Sequence, residues 1–245
     1  ESSNEFGFLF RSFNNMVFDL NYLKIDYYEN ELMLQEAELK YLQNQIKPHF
    51  FLNSLNVIYN LAAIKDYDTI KKMVLYLGNY LHFNINLDHE LVTLGEELEY
   101  IKNYLEIHRL RFPGKLDYQI IIAKEHLSVM IPPLTIQPFV ENSIIHGFKD
   151  KYNGYQISIL VEEKASEILE IMVSDNGSGF SRDRLRDFQQ RKFGKTAGHI
   201  GIWNVYQRLN ISFKNSFNLI FFNAKSGGAV VKITIPRKRK EEKCV

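Results

Sequence analysis

Apolar side chains recur at Phe6, Phe10, Phe13, Val17 and Leu20, in steps of 4, 3, 4 and 3, the spacing of a coiled-coil seam. A second seam runs through Leu32, Leu39, Leu42 and Ile46. The two do not share a register. Heptad steps counted on from Leu20 reach Lys24 and Glu31, so a phase change is expected over residues 21–31. The pattern predicts a rod-like helical region that pairs with another helix, most simply its own copy in a homodimer. The helical pattern continues past Pro48 to about Ala63, and Asp66 and Asp68 supply turn and cap chemistry. A second helix is predicted from about Thr69 to Asn84. A third begins after Thr93, with Glu96 and Glu97 in its first turn, and stops at Phe112-Pro113-Gly114.

Beyond Pro113 the period changes. LDYQIII, YQISILVE, EILEIMVSD, FNLIFFN and AVVKITIP are short, β-branched or aromatic runs bounded by Gly, Asn, Asp or Lys, and they predict strands. Helical stretches at Leu134–His146 and Gly201–Asn210 lie between them. The expected fold class is α+β: an N-terminal dimeric helical coiled-coil or bundle region, then a mixed sheet with helices on one face.

Composition narrows the picture. At 245 residues, with 45% hydrophobic and 24% charged residues, the chain has material for a core. A net charge of +1 supplies no field for nucleic acid, which is not expected as a partner. The single cysteine, Cys244, forms no disulfide within the chain and suits a reducing compartment. No apolar run reaches the ~18 residues that a membrane span needs. The chain starts without methionine in mid-pattern, so it reads as a fragment, with room for a membrane segment upstream. The tail PRKRKEEK reads as a solvated terminus.

Three clusters in the second half carry chemistry. PPLTIQPFVENSIIHGF holds Glu141, Asn142 and His146, with Asn142 and His146 at i and i+4 on one helix face. SDNGSGF places Asp175 at the end of a strand, with Gly177 and Gly179 in the turn after it. AGHIGIWNVYQRL leads through Gly198 and Gly201 into a helix, and such a loop presents free N–H groups that suit phosphate. Singly, each has a plainer reading: a turn, a cap, a satisfied helix polar.

Together, in this order, the clusters resemble the ATP-binding domain shared by gyrase, chaperone and histidine-kinase ATPases (the GHKL type, an α/β sandwich) over about residues 130–237. The resemblance implies ATP and Mg²⁺ as ligands. Asn142 would coordinate Mg²⁺ held by the ATP phosphates, and Asp175 would receive the adenine amine. His146, Gly177, Gly179, Lys195, Gly198, Gly201 and Asn204 would complete the nucleotide site. The segment from Gly179 to Gly198 would form a mobile lid, with Lys192 and Lys195 as phosphate partners. Ala229 stands where threonine is common in that family.

LQNQIKPHFFLNSLN resembles the phosphoacceptor segment of LytS/YesM-type sensor histidine kinases, and the likeness extends through VTLGEELEYIKNYLEIHRLRF. It implies the cytoplasmic portion of a cell-membrane protein, with autophosphorylation of His49 and transfer to an aspartate of a response regulator. Neutral imidazole is available near pH 7 for attack on the γ-phosphate, and a proline kink at Pro48 would splay the packed helices and expose His49. Taken without the ATP domain, His49 would read as a polar residue on a coiled-coil stripe. Many histidine kinases carry an acid after the phosphoacceptor; here that place is Phe50. Glu141 is the candidate proton acceptor, from its place beside Asn142. His82 stands where this subfamily usually shows arginine. Asn53, four residues after His49, is a candidate for positioning the water that dephosphorylates the regulator; the plainer reading is a helix polar bonded to a backbone carbonyl. NEFGFLFRSFNNMV resembles the last helix of a HAMP signalling module. The expected organisation is a HAMP-like helix at 1–28, dimerisation and phosphotransfer helices at 29–112, an ATP-binding domain at 113–237 and a charged tail at 238–245. A different-class alternative is a non-catalytic, ATP-gated dimeric scaffold.

Overall fold

A computed structural model describes Met16, Lys24, Tyr27, Tyr28, Glu31 and residues 48–85, 91–147, 154–165, 167–190, 200–214 and 216–237. The two seams and their phase change lie largely outside the described residues, as does the HAMP-like stretch. The chain divides into two compact units, Glu1–Leu52 and Asn53–Val245.

Helix α1 spans Pro48–Ala63 and α2 spans Tyr67–Ile85. Pro48 is the first described residue of α1, and residues 32–47 before it lie outside the described residues. Asp66 sets the start of α2: its Oδ1 accepts from the Thr69 N–H at 3.1 Å and its Oδ2 from the Thr69 hydroxyl at 2.7 Å. This cap moves the start two residues ahead of the expected Thr69. Strand β1 (Val92–Thr93) leads into α3 (Leu94–Arg111) through a reciprocal cap. The Thr93 hydroxyl accepts from the Glu96 N–H at 3.2 Å, and the Glu96 carboxylate accepts from the Thr93 N–H at 2.7 Å. Helices α2 and α3 meet along an aromatic column, with Tyr80 stacked on Tyr100 at 4.7 Å and Phe83 on Tyr100 at 4.4 Å.

The C-terminal sheet contains β2 (Leu116–Ile122), β4 (Tyr155–Ala165), β5 (Ile168–Asp175), β6 (Asn218–Asn223) and β7 (Ala229–Pro236) in the order β2-β4-β5-β7-β6. β2 and β4 are parallel and the other pairs antiparallel, so the sheet is mixed, as the strand pattern predicts. A short β3 (Met130–Ile131) pairs with β1. One sheet face is buried: Ile157, Ile159 and Val161 alternate inward on β4, and Asp175, Val173 and Ile171 are their register partners on β5. Helix α4 (Gln137–Asn142), α5 (Arg182–Gln189) and α6 (Ile200–Phe213) supply apolar partners, including Phe139, Phe188, Val205 and Leu209. On the opposite face, Ile121, Ile220 and Phe222 stay exposed. The result is an α/β sandwich of one sheet and one helical layer, in agreement with the expected fold class.

Two local differences matter. The predicted helix Leu134–His146 is a six-residue α-helix, α4, followed by a π-helical turn at Ser143–Gly147. Asn142 and His146 are therefore related by a change of helix type and not by one regular face. In addition, the segment expected as a lid contains α5. The Ser181 hydroxyl caps it by accepting from the Arg184 N–H at 3.3 Å, and its Phe188 stacks on Phe221 of β6 at 4.2 Å. That half of the segment is anchored to the sheet by aromatic burial; residues 191–199 lie outside the described residues.

Candidate functional site

Asp175 is the last residue of β5, and its carboxylate is buried at the floor of a cleft. Oδ2 accepts from the Ser143 hydroxyl at 2.7 Å. Oδ1 accepts from the N–H of Gly177 at 2.9 Å and that of Ala229 at 3.2 Å. Three chain segments that are distant in sequence thus converge on one side chain. Their convergence requires bare backbone. A Cβ on Gly177 would come within 2.8 Å of the Gly147 Cα and carbonyl oxygen, and a Cβ on Gly228, which has φ +93°, would overlap the Asp175 carbonyl oxygen. Tyr155 closes the floor from β4, donating its hydroxyl to the Ser143 carbonyl at 2.6 Å. Burial, and then the Asp175 charge, push the Tyr155 phenol above its ordinary range, so it holds its proton and acts as a donor. Asn176 ties the next loop down, accepting from the Gln156 N–H and donating to the Gly154 carbonyl, each at 2.8 Å.

The cleft encloses about 890 Å³ of empty space, open solvent at its mouth included. Glu141, Asn142 and His146 line one wall, from α4 and the π-turn. Glu141 accepts from the Gln137 side-chain amide at 3.2 Å. Apolar and aromatic side chains flank the same space: Phe180 meets Phe188 edge-on at 5.4 Å, and Phe139 of α4 meets Phe221 at 6.0 Å. Gly179, Gly201 and Arg184 also border the space. A buried acceptor on the floor, an apolar flank and hard oxygen donors on one wall make a set that fits a purine nucleotide with its divalent cation.

Of the residues singled out from sequence, the cleft brings together Glu141, Asn142, His146, Asp175, Gly179 and Gly201, with Gly177 on its floor. Asn204 is exposed on α6 and does not line it. Lys192, Lys195 and Gly198 lie outside the described residues. Ser143, Tyr155, Arg184 and the Ala229 N–H were not anticipated. Ser181, with Leu185 and Phe188 at helical spacing behind it, carried the signal for the helix that presents Arg184; no local signal marked Tyr155. His49 is exposed in the first turn of α1, Phe50 beside it is buried, and Asn53 is half-buried one turn on.

Residues 37–116, a stretch that includes His49, match the family model described as histidine kinase. The chain is a relative, over nearly its whole length, of sensor histidine kinases of the LytS/YesM type. It is 34% identical to the sensor histidine kinase YesM of Bacillus subtilis over 96% of its residues, and 31% identical to the sensor histidine kinase/phosphatase LytS of Staphylococcus aureus over 86%. It spans 39% of the first protein and 36% of the second. Among solved structures, the nucleotide-free catalytic domain of the histidine kinase ThkA shares 14% identity over 61% of this chain and 97% of its own, with a TM-score of 0.47. Among the described residues no helix is long and apolar enough to cross a membrane.

Proposed function

We propose that this chain is the kinase portion of a membrane sensor histidine kinase, which binds Mg-ATP in the Asp175 cleft and phosphorylates His49. The observation that carries the proposal is the Asp175 floor: a buried carboxylate held in place by three donors, beneath a wall bearing Asn142 and Glu141. Asp175 accepts the adenine amine, Phe180 and Phe221 flank the base, and Asn142 holds Mg²⁺ against the phosphates. Bound Mg²⁺ supplies neutralisation of charge on the transferring phosphoryl group. Neutral His49 attacks the γ-phosphorus, the P–O bond to ADP breaks, and the imidazole proton passes to a base, for which Glu141 is the candidate. The phosphoryl group then moves to an aspartate of a response regulator.

In this reading residues 29–112 serve dimerisation and phosphotransfer, and residues 113–237 bind nucleotide. Support for a homodimer comes from the apolar side chains that α1 and α2 leave exposed: Leu55, Tyr59, Val74 and Leu75 are all more than half exposed, an arrangement suited to burial against a second copy. Support for a phosphatase role of Asn53 comes from its place one turn after His49 and from the LytS relative, whose name includes phosphatase. Incubation with γ-labelled ATP tests the proposal. Label that is lost in acid and kept in base denotes phosphohistidine; ATP that binds without labelling the protein denotes the non-catalytic scaffold.

A further inference from the structure

Helix α4 carries Glu141 and Asn142 at its C-terminal end, yet it has no cap of its own. The residue before it is Ile136, with no side-chain cap bond, and Pro138 occupies its first turn. The acceptor for its free N–H groups comes from another helix. Glu97, in the first turn of α3, is fully buried, and its Oε1 accepts from the Ile136 N–H and, at 3.3 Å, from the Gln137 N–H. Glu97 is not needed to cap α3, because Glu96 already closes that box with Thr93. The same entry segment is gripped from the other side: the Arg208 guanidinium of α6 donates to the Leu134 carbonyl at 3.0 Å. Leu134 itself has φ +56°, a left-handed conformation that costs a branched side chain energy and persists only under restraint. A strained entry clamped by an acid and a base leads directly into the helix that forms one wall of the cleft.

We infer that Glu97 is a positioning residue for the metal-binding end of the nucleotide site, seating α4 so that Asn142 faces the phosphates. This rests on the proposed Mg-ATP function of the cleft. Two donors to the adenine floor, the N–H groups of Gly177 and Ala229, are independent of α4, and the third, the Ser143 hydroxyl, follows it directly, so loss of the Glu97 cap acts most on the Mg²⁺-dependent part of binding.

The test uses the chain 1–245 and a fluorescent ATP analogue, displaced by ATP with EDTA and then with excess Mg²⁺. Wild-type protein is expected to bind in both conditions and more tightly with Mg²⁺. Glu97→Ala is expected to lose about tenfold of that Mg²⁺ gain, the scale of one buried hydrogen-bond acceptor, with its Mg²⁺-free affinity within about twofold of wild type. Glu97→Gln keeps the acceptor oxygen and is expected to restore the gain. An Ala variant with the full Mg²⁺ gain overturns the positioning role. So does a Gln variant that loses the gain while the Ile136 and Gln137 amides stay protected from hydrogen exchange, a measurement that decides the matter if the Ala variant does not fold. Wild-type protein that binds no nucleotide in either condition overturns the underlying function as well, and is thereby told apart from failure of the positioning role alone.

Discussion

Asp175→Asn separates support of the fold from recognition of the base. The amide oxygen can keep the two N–H donors now on Oδ1, from Gly177 and Ala229. The amide nitrogen replaces Oδ2, and the Ser143 hydroxyl, now donating at 2.7 Å, can rotate to accept from it. Every partner is satisfied, so the cost to stability is about 1 kcal/mol, or roughly 2–4 °C in Tm for a domain of this size. Adenine fares worse, because its exocyclic amine now meets a donor. Loss of a hydrogen bond to a charged acceptor is worth roughly 1.5–3 kcal/mol, so ATP affinity falls roughly ten- to hundredfold. Inosine triphosphate, with a carbonyl in place of the amine, gains an acceptor-to-donor match with the new amide. Calorimetric titration with both nucleotides, beside thermal melts, is expected to show weaker ATP binding, a shift of preference toward inosine triphosphate, and a small loss in Tm. Unchanged ATP affinity would refute the adenine role, and a large loss in Tm would refute the account of the donors around Asp175.

Burial, the largest cause, raises the Glu97 carboxyl from 4.5 to about 7 against the pull of its backbone donors and Arg208; the folded state holds this proton more tightly, so its stabilising contribution is full below pH 4.5 and is lost as pH rises to 7. That difference is worth about 3 kcal/mol, so urea unfolding from pH 4.5 to 8 is expected to show wild type losing that amount relative to Glu97→Gln, and parallel profiles would contradict it. Gly228→Ala forces a Cβ onto the Asp175 carbonyl at φ +93°, and a loss of about 2–4 kcal/mol is expected by urea unfolding; a change within about 0.5 kcal/mol would show that the loop yields. Asn53→Ala is expected to leave His49 labelling within a few-fold of wild type while slowing loss of label from a phosphorylated regulator; an unchanged rate of loss leaves Asn53 a structural residue.

What the sequence made legible follows from the range of each interaction. LDYQIII and AVVKITIP are short, β-branched runs with turn residues at their ends, and they are β2 and β7 as expected. The start of α3 was legible because the Thr93–Glu96 cap is local. Glu97 was not: two adjacent acids in a first turn look alike, and only a partner 39 residues away turns one of them inward. β1 and β3, two residues each, are too short to show a period. α5 was hidden by the lid that the resemblance implied, although Ser181 marked its start. Asp175 and Asn142 stood out because motif and resemblance agreed on them, whereas Ser143 and Tyr155 act through tertiary contacts that no short window contains.

If His49 receives phosphate from ATP bound at the Asp175 cleft, as proposed, His49→Gln removes the acceptor and leaves the cleft in place. The variant and wild type are incubated with γ-labelled Mg-ATP, and nucleotide affinity is measured in the same preparations. His49 is an exposed residue on α1 and lies outside the cleft lining, so nucleotide affinity is expected to stay within about twofold while the acid-labile label disappears. Undiminished label on His49→Gln protein would contradict the account.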